Sequence, residues 1–187
     1  MVFSEDQILR YSRNIALKEI GLNGQQKLAE SSVLVIGTGG LGSPVSLYLA
    51  AAGVGRIGVV DYDRVDLSNL QRQIIHNIDT LEMDKTLSAA QAIEKLNPDC
   101  TVDTYQQRLS IENALELVSR FDFIVEGSDN FTTKYLVNDA CVIAGKPYSH
   151  AGVLGFGGQV FTRLADDKSP CLRCILPEIP SSEETPT

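Results

Sequence analysis

The sequence predicts an α/β protein built on a doubly wound, mostly parallel sheet, with helices at its N-terminus and antiparallel strands near its C-terminus. Three observations carry that expectation. Short apolar runs, VLVIG from Val33, RIGVVD from Arg56 and FDFIV from Phe121, alternate with longer stretches of helical periodicity, the pattern of parallel strands joined by helical crossovers. The first run passes directly into GTGGLGSP, Gly37 to Pro44, a glycine turn at the head of a helix. The second ends on Asp61, about 20 residues beyond that turn, where a carboxylate can accept from ribose hydroxyls. Together these features are Rossmann-like.

Each element has a local cause. Ser4 with Gln7 forms a capping-box pattern and opens a short helix, with Ile8, Leu9, Ser12 and Ile15 on one side and Arg10 and Arg13 on another. A second short helix is expected over Gln25 to Glu30, which makes residues 1–31 a helical N-terminal part. Pro44 suits the first turn of the helix that runs through Val45 to Ala52 and stops at Gly53. Asp84 is placed to cap a helix over Lys85 to Leu96, whose Leu87, Ala90, Ile93 and Leu96 share a face before Asn97 and Pro98 end it. TVDTYQQ, Thr101 to Gln107, alternates like a strand, and IENALELVSRF, from Ile111, reads as a helix. The buried strand FDFIVEGSD follows, then a helix over Thr133 to Ala144 closed by Gly145. PYSHAGVLGFGGQVFTRL supplies two strands around a turn at Gly155 to Gly158.

Composition narrows the function. With 187 residues, 43% of them hydrophobic, the chain can bury one sizeable core. A formal net charge of −8 argues against a nucleic-acid partner. No apolar run approaches the length of a membrane span and the N-terminus lacks a leader pattern, so a cytoplasmic location is expected. Cys100 and Cys141 read as small buried hydrophobes. Cys171 and Cys174, in CLRC, form half of a tetrahedral zinc site. His76 and His150 lack ligand spacing to them and read as hydrogen-bonded structural residues. The tail PEIPSSEETPT is too rich in Pro, Ser, Thr and Glu to pack by itself.

The glycine turn points to an anion. Gly37, Gly39 and Gly42 have dinucleotide-fingerprint spacing, with Gly40 inside it, and unpaired N–H groups at a helix start suit a phosphate. Turn and Asp61 together favour an adenine nucleotide without saying which. Beyond Asp61, the polar run DYDRVDLSNLQRQ adds Asp63, Asp66, Ser68, Asn69, Gln71 and Arg72. Asp66 and Gln73 read as solvated loop, whereas the Arg72 guanidinium can neutralise charge on a transferring phosphoryl group. Lys85 stands in the first turn of a helix, against the macrodipole, a conflict that a shared anionic ligand would remove. Asp129 ends a strand at its carboxyl end and suits Mg²⁺; Ser128, Asp129 and Asn130 equally suit the cap of the next helix.

The set RYSRN, GTGGLGSP, VVDYDRVDLSNLQRQ, DKT around Lys85, EGSDN around Asp129 and PCLRC resembles the ThiF/MoeB adenylyltransferases, bacterial relatives of the ubiquitin-activating enzymes, over nearly the whole chain. The resemblance implies ATP-dependent adenylylation of the C-terminal glycine carboxylate of a ubiquitin-like sulfur-carrier protein ending in Gly-Gly. Such carriers are MoaD- or ThiS-like and serve molybdenum-cofactor or thiamine biosynthesis. It implies phosphate contact at Gly40, ribose contact at Asp61 and nucleotide contacts from Ser68, Asn69, Leu70, Gln71 and Arg72. Arg72 and Lys85 would stabilise the transition state, and Asp129 would hold Mg²⁺. Gly37, Gly39, Gly42, Asp63 and Asn130 complete the expected nucleotide site. Arg13 is similar to an arginine that family members insert from the partner subunit, which implies a homodimer with two composite sites.

Residues 1–170 are then an ATP-binding adenylation domain, and 171–187 hold the half zinc motif and the start of a disordered crossover loop. Zn²⁺ would require a second CxxC, which family members carry further on, so the expected activity is one impaired by truncation. Two other readings stay open: a non-catalytic nucleotide- or carrier-binding module, and an NAD-dependent oxidoreductase.

Overall fold

The computed structural model describes residues 3–166 and 168–178. Three helices, α1 (Glu5–Arg10), α2 (Ser12–Ile15) and α3 (Gly21–Glu30), precede β1 (Ser32–Ile36), α4 (Gly42–Ala52) and β2 (Arg56–Asp61). A long connection with two 3₁₀ turns, Leu67–Asn69 and Ile78–Thr80, leads to α5 (Lys85–Leu96) and β3 (Thr101–Gln106). Then come α6 (Ala114–Ser119), β4 (Phe123–Glu126), α7 (Phe131–Ala144), β5 (Tyr148–Leu154), β6 (Gly157–Arg163) and α8 (Leu172–Ile175).

The six strands lie in the order β3-β2-β1-β4-β5-β6. All neighbours are parallel except the β5–β6 hairpin, where Tyr148 faces Arg163 and Leu154 faces Gly157. The chain moves outward from β1 to one side through β2 and β3, then returns to the other side at β4. The β1/β4 boundary is therefore the topological switch point, where open α/β sheets hold ligands beyond their strand ends. Every residue of β1 is buried, as a central strand covered on both faces requires. Its alternating side chains feed two apolar layers, one with Leu34, Ile36, Phe121, Ile124 and Tyr148, the other with Val33, Val35, Ile57, Val59 and Ile93. Cys141 belongs to the first layer and Cys100 to the second. Burial pushes their thiols up, to about 12 and about 11 respectively.

The N-terminal helices close the far end of α4. Its last carbonyls have no partner within the helix. Gln25 Nε2 donates to the Ala52 carbonyl at 2.8 Å, Asn14 Nδ2 to the same oxygen at 3.4 Å, and Asn97 Nδ2 to the Ala50 carbonyl at 2.7 Å and the Tyr11 hydroxyl at 2.8 Å. Gly53, with φ +89°, makes this convergence possible, since a Cβ there would meet Gln25 Nε2 at 2.4 Å.

Several local expectations shift. The Ser4–Gln7 capping box forms as read. Helices α3, α4 and α7 begin earlier than expected, at Gly21, Gly42 and Phe131, whereas α6 shortens to six residues. Asp84 occupies the N-cap position of α5 but makes no capping hydrogen bond; its carboxylate lies 3.4 Å from Arg64 Nε instead. Gln73 is a correction, because it is buried rather than solvated. Of residues 171–187, expected as a disordered crossover loop, 171–178 are described. Leu172 is buried, its N–H donates to Asn138 Oδ1 at 2.8 Å, and the Tyr135 hydroxyl donates to the Leu176 carbonyl at 2.8 Å. Residues 179–187 lie outside the described residues.

Phe121 is fully buried between Tyr105 and the Arg56 guanidinium, whose carbon lies 4.5 Å from the ring centroid. Phe121→Ala is expected to cost about 3–5 kcal/mol of unfolding free energy, measured by urea denaturation.

Candidate active site

The crevice forms where β1, β2 and β4 end. Gly37, with φ +85°, leaves β1 and donates its N–H to the Val60 carbonyl at 2.8 Å. A Cβ at Gly42 would lie 1.8 Å from the Gly37 oxygen, so the turn can fold back onto the start of α4 only with glycine there. The β4 turn presses against the same point, since a Cβ at Gly37 would meet the Gly127 oxygen at 3.1 Å. The amides of Gly39, Gly40 and Leu41 make no hydrogen bond to described residues. No side chain caps α4 either. Together they are a set of free donors at the positive end of a helix dipole.

Asp61 organises this turn from β2. Its Oδ2 accepts from Thr38 N at 2.8 Å and Thr38 Oγ1 at 2.9 Å, and its Oδ1 from Asp63 N at 3.0 Å. Asp66 caps the first 3₁₀ turn, accepting from Ser68 N at 2.7 Å, and these Ser68 bonds hold its carboxyl below the usual range. Ser68, Asn69, Leu70 and Gln71 follow on that turn, with Ser68 and Gln71 exposed. Arg72 is exposed and bonds the Ser68 carbonyl at 3.3 Å, while its methylenes lie 3.5 Å from where a Gly40 Cβ would stand. The guanidinium stem thus crosses the glycine turn. Gln73 tucks beneath it, with Nε2 3.6 Å from the corresponding Gly39 position and Oε1 buried without a partner.

Lys85 is 6% exposed, so it is no solvated surface lysine. Its ammonium pairs with Asp63 Oδ2 at 3.2 Å, and Asp63, half exposed, relieves the conflict with the α5 dipole. His76 ties the helix to the glycine turn, with Nδ1 2.8 Å from Ser88 Oγ and Nε2 3.2 Å from the Thr38 carbonyl. A carbonyl only accepts, so Nε2 carries a hydrogen, while Ser88 Oγ donates its own proton to Thr80 Oγ1 at 2.9 Å. Burial holds the His76 pKa below its ordinary value of 6.5, and the nearby Lys85 charge adds to this.

On β4 the sequence reading missed the main feature. Glu126, Lys134 and His150 are all at least nine-tenths buried and meet in one cluster. Glu126 Oε2 accepts from Lys134 Nζ at 2.9 Å and from His150 Nδ1 at 2.9 Å. Oε1 accepts from Ser128 N at 2.8 Å and from the Ser128 hydroxyl. Lys134 Nζ also donates to the Ser128 carbonyl at 2.6 Å and the Ala151 carbonyl at 2.8 Å. Burial raises the Glu126 carboxyl, but the His150 hydrogen bond and the Lys134 charge outweigh it and leave a net lowering. Asp129, next in the turn, is exposed, and its one side-chain hydrogen bond among the described residues is from Asn130 Nδ2 at 3.5 Å. Asn130 caps α7 by accepting from Thr133 N at 2.9 Å.

Two expected participants stand apart. Arg13, exposed on α2, belongs to the helices that close the far end of α4, about 16 Å along that helix from the glycine turn. The chain by itself does not bring it into the crevice. Cys171 and Cys174 have sulfurs 3.7 Å apart, close to the edge of a tetrahedron with Zn–S bonds of about 2.3 Å. Among the described residues no third His, Cys, Asp or Glu joins them, so they form no closed zinc site. Asp129 fits Mg²⁺ better, as an unencumbered hard oxygen donor at a strand end. No described helix is long and apolar enough to cross a membrane.

Comparisons with known proteins agree with this architecture. The profile of the ThiF family matches residues 11–187. The pig protein named adenylyltransferase and sulfurtransferase MOCS3 is 49% identical over 180 residues, 96% of this chain and 39% of the relative. The sulfur carrier protein adenylyltransferase of Thermus thermophilus is 43% identical over 191 residues, 100% of this chain and 70% of the relative. The chain thus spans about two-fifths of the length of the MOCS3 relatives it matches. Among solved structures, E. coli MccB with ATP aligns at a TM-score of 0.80 and 30% identity, covering 88% of this chain and 50% of that one.

Two outcomes follow from the geometry. Gly42→Ala should destabilise the fold by several kcal/mol, since backbone rather than a flexible side chain blocks the methyl group; equilibrium denaturation measures it. Burial makes His76 charge less readily when folded than when unfolded, so its contribution to stability is full above pH 6.5 and is lost as pH falls through the folded-state pKa. Thermal melts across that window should show the slope, and His76→Gln should flatten it.

Proposed function

The chain belongs to the ThiF family, and from that premise we propose that it adenylylates the C-terminal glycine carboxylate of a ubiquitin-like sulfur carrier, of the MoaD- or ThiS-like kind that feeds molybdenum-cofactor or thiamine assembly. One observation carries the reading above others: Arg72 lies across a glycine turn whose amides are free, with Lys85 buried beside the ribose-side acids. Relatives named adenylyltransferase support it.

The reaction joins two anions. A carrier carboxylate oxygen attacks the α-phosphorus of ATP, the bond to the bridging oxygen breaks, and pyrophosphate leaves with that electron pair. The free amides of Gly39, Gly40 and Leu41 hold phosphate oxygens, and Arg72 and Lys85 offset the charge that builds on them. Asp61, with Gly37 and Gly42 setting the turn, accepts from the ribose; Ser68, Asn69, Leu70 and Gln71 line the nucleotide, and Asn130 keeps the Asp129 turn at the start of α7. Mg²⁺ at Asp129 would supply further neutralisation of the phosphates. Arg13 serves the site of a partner subunit, so the working unit is a cytoplasmic homodimer, with residues 1–170 as its nucleotide half. Lys85 needs Asp63 at rest and exchanges that partner for phosphate when ATP binds.

ATP–pyrophosphate exchange with a carrier ending in Gly-Gly tests the reading. Lys85→Met and Asp129→Ala are each expected to lower exchange at least about 10²-fold. Arg13→Ala mixed with Lys85→Met should recover about a quarter of wild-type exchange if sites are composite, because statistical pairing gives half heterodimers with one intact site each. Binding of NAD in preference to ATP would sink the proposal, and ATP binding without adenylate in mass spectra would leave a binding module.

A further inference from the structure

Glu126, Lys134 and His150 form a cluster whose valences are full. An ammonium has three protons to donate, and Lys134 places them on Glu126 Oε2, the Ser128 carbonyl and the Ala151 carbonyl. A carboxylate offers about four lone-pair sites, and Glu126 receives Ser128 N, the Ser128 hydroxyl, Lys134 and His150. Nothing is left for a ligand, so this cluster is not itself a binding site. Its bonds converge on one residue, Ser128, whose N–H, hydroxyl and carbonyl are all engaged by Glu126 or Lys134.

An ordinary core does not call for this arrangement. A buried ion pair can often be replaced by packed apolar side chains without loss of stability. What apolar groups cannot do is hold both the amide and the carbonyl of a turn residue. Among the described residues, the only backbone–backbone hydrogen bond that Gly127 to Asp129 make to the rest of the fold is Gly127 N to the Ile36 carbonyl, at 2.9 Å. Asp129, in contrast, projects from the turn with no ionic partner among described residues.

We infer that Glu126 and Lys134 are positioning residues that fix the Ser128 peptide and thereby aim the Asp129 carboxylate at the divalent cation of a metal–nucleotide complex. The inference rests on the proposed ATP function for its metal half and on geometry alone for its positioning half. His150 locks the carboxylate from β5, so the turn is referred to two strands at once.

The test compares the wild-type chain with Lys134→Met, the Glu126→Met/Lys134→Met double variant and Lys134→Arg. Amide hydrogen exchange is read at Ser128, and Mn²⁺ binding by electron paramagnetic resonance with and without ATP. In the double variant, melting should stay within a few degrees of wild type, the Ser128 amide should exchange at least about tenfold faster, and Mn²⁺·ATP should bind at least about tenfold more weakly. Metal-free ATP affinity should stay within about twofold, and Lys134→Arg should restore part of the metal-dependent increment. A folded double variant with unchanged exchange at Ser128 overturns the positioning claim, whatever ATP does. Normal Mn²⁺·ATP affinity beside fast exchange overturns the metal half. A wild-type chain that binds no ATP refutes the functional reading and the metal half with it, while exchange still decides the positioning half.

Discussion

The structure depends on a single close approach of backbone to backbone. At the β1/β4 switch point the Gly37 carbonyl, the α carbon of Gly42 and the Gly127 peptide occupy a space that admits no side chain. Because they meet there, the start of α4 and the turn after β4 open onto the same crevice. The free amides and the exposed carboxylate are neighbours for steric reasons before any electrostatic ones. Both apolar layers serve this meeting point, since β1 can be central only when covered on both faces.

Charge is distributed unevenly in this acidic chain. The crevice cations are placed with different degrees of freedom. Lys85 is buried and held by Asp63, whereas Arg72 lies on the surface, held by its own turn. Lys134 is buried and wholly engaged by protein acceptors. An ammonium with one exposed carboxylate partner can change partners; a buried one with three protein acceptors cannot. That contrast separates a group suited to meet an incoming anion from one suited to hold the walls.

The parts legible in sequence were those written locally. Alternating apolar runs gave β1, β2 and β4, the capping box at Ser4 gave α1, and glycine spacing gave the turn, because each depends on residues a few positions apart. The start of α4 was misplaced because no side chain marks it: Leu41 precedes Gly42 without a capping bond. Gln73 looked like solvated loop because its neighbours are polar, and only the fold of the long connection brings it under Gly39. The Glu126 cluster was illegible for a different reason. Its members stand on β4, α7 and β5, and neither an acid at a strand end nor a lysine in a helix signals burial until the sheet order brings them together. EGSDN drew attention to Asp129 and away from the glutamate that begins the same motif.

The full valence of Lys134 bears on how the β4 turn moves. Its three acceptors belong to three separate segments: β4, the turn and β5. Lifting any one of them would strand a fraction of a positive charge in a dry interior, and the penalty arrives with the first displacement rather than growing gently. Thermal agitation therefore has no shallow path along which to loosen this segment by degrees. It sits in one posture, or the strand ends part together in a rare cooperative opening.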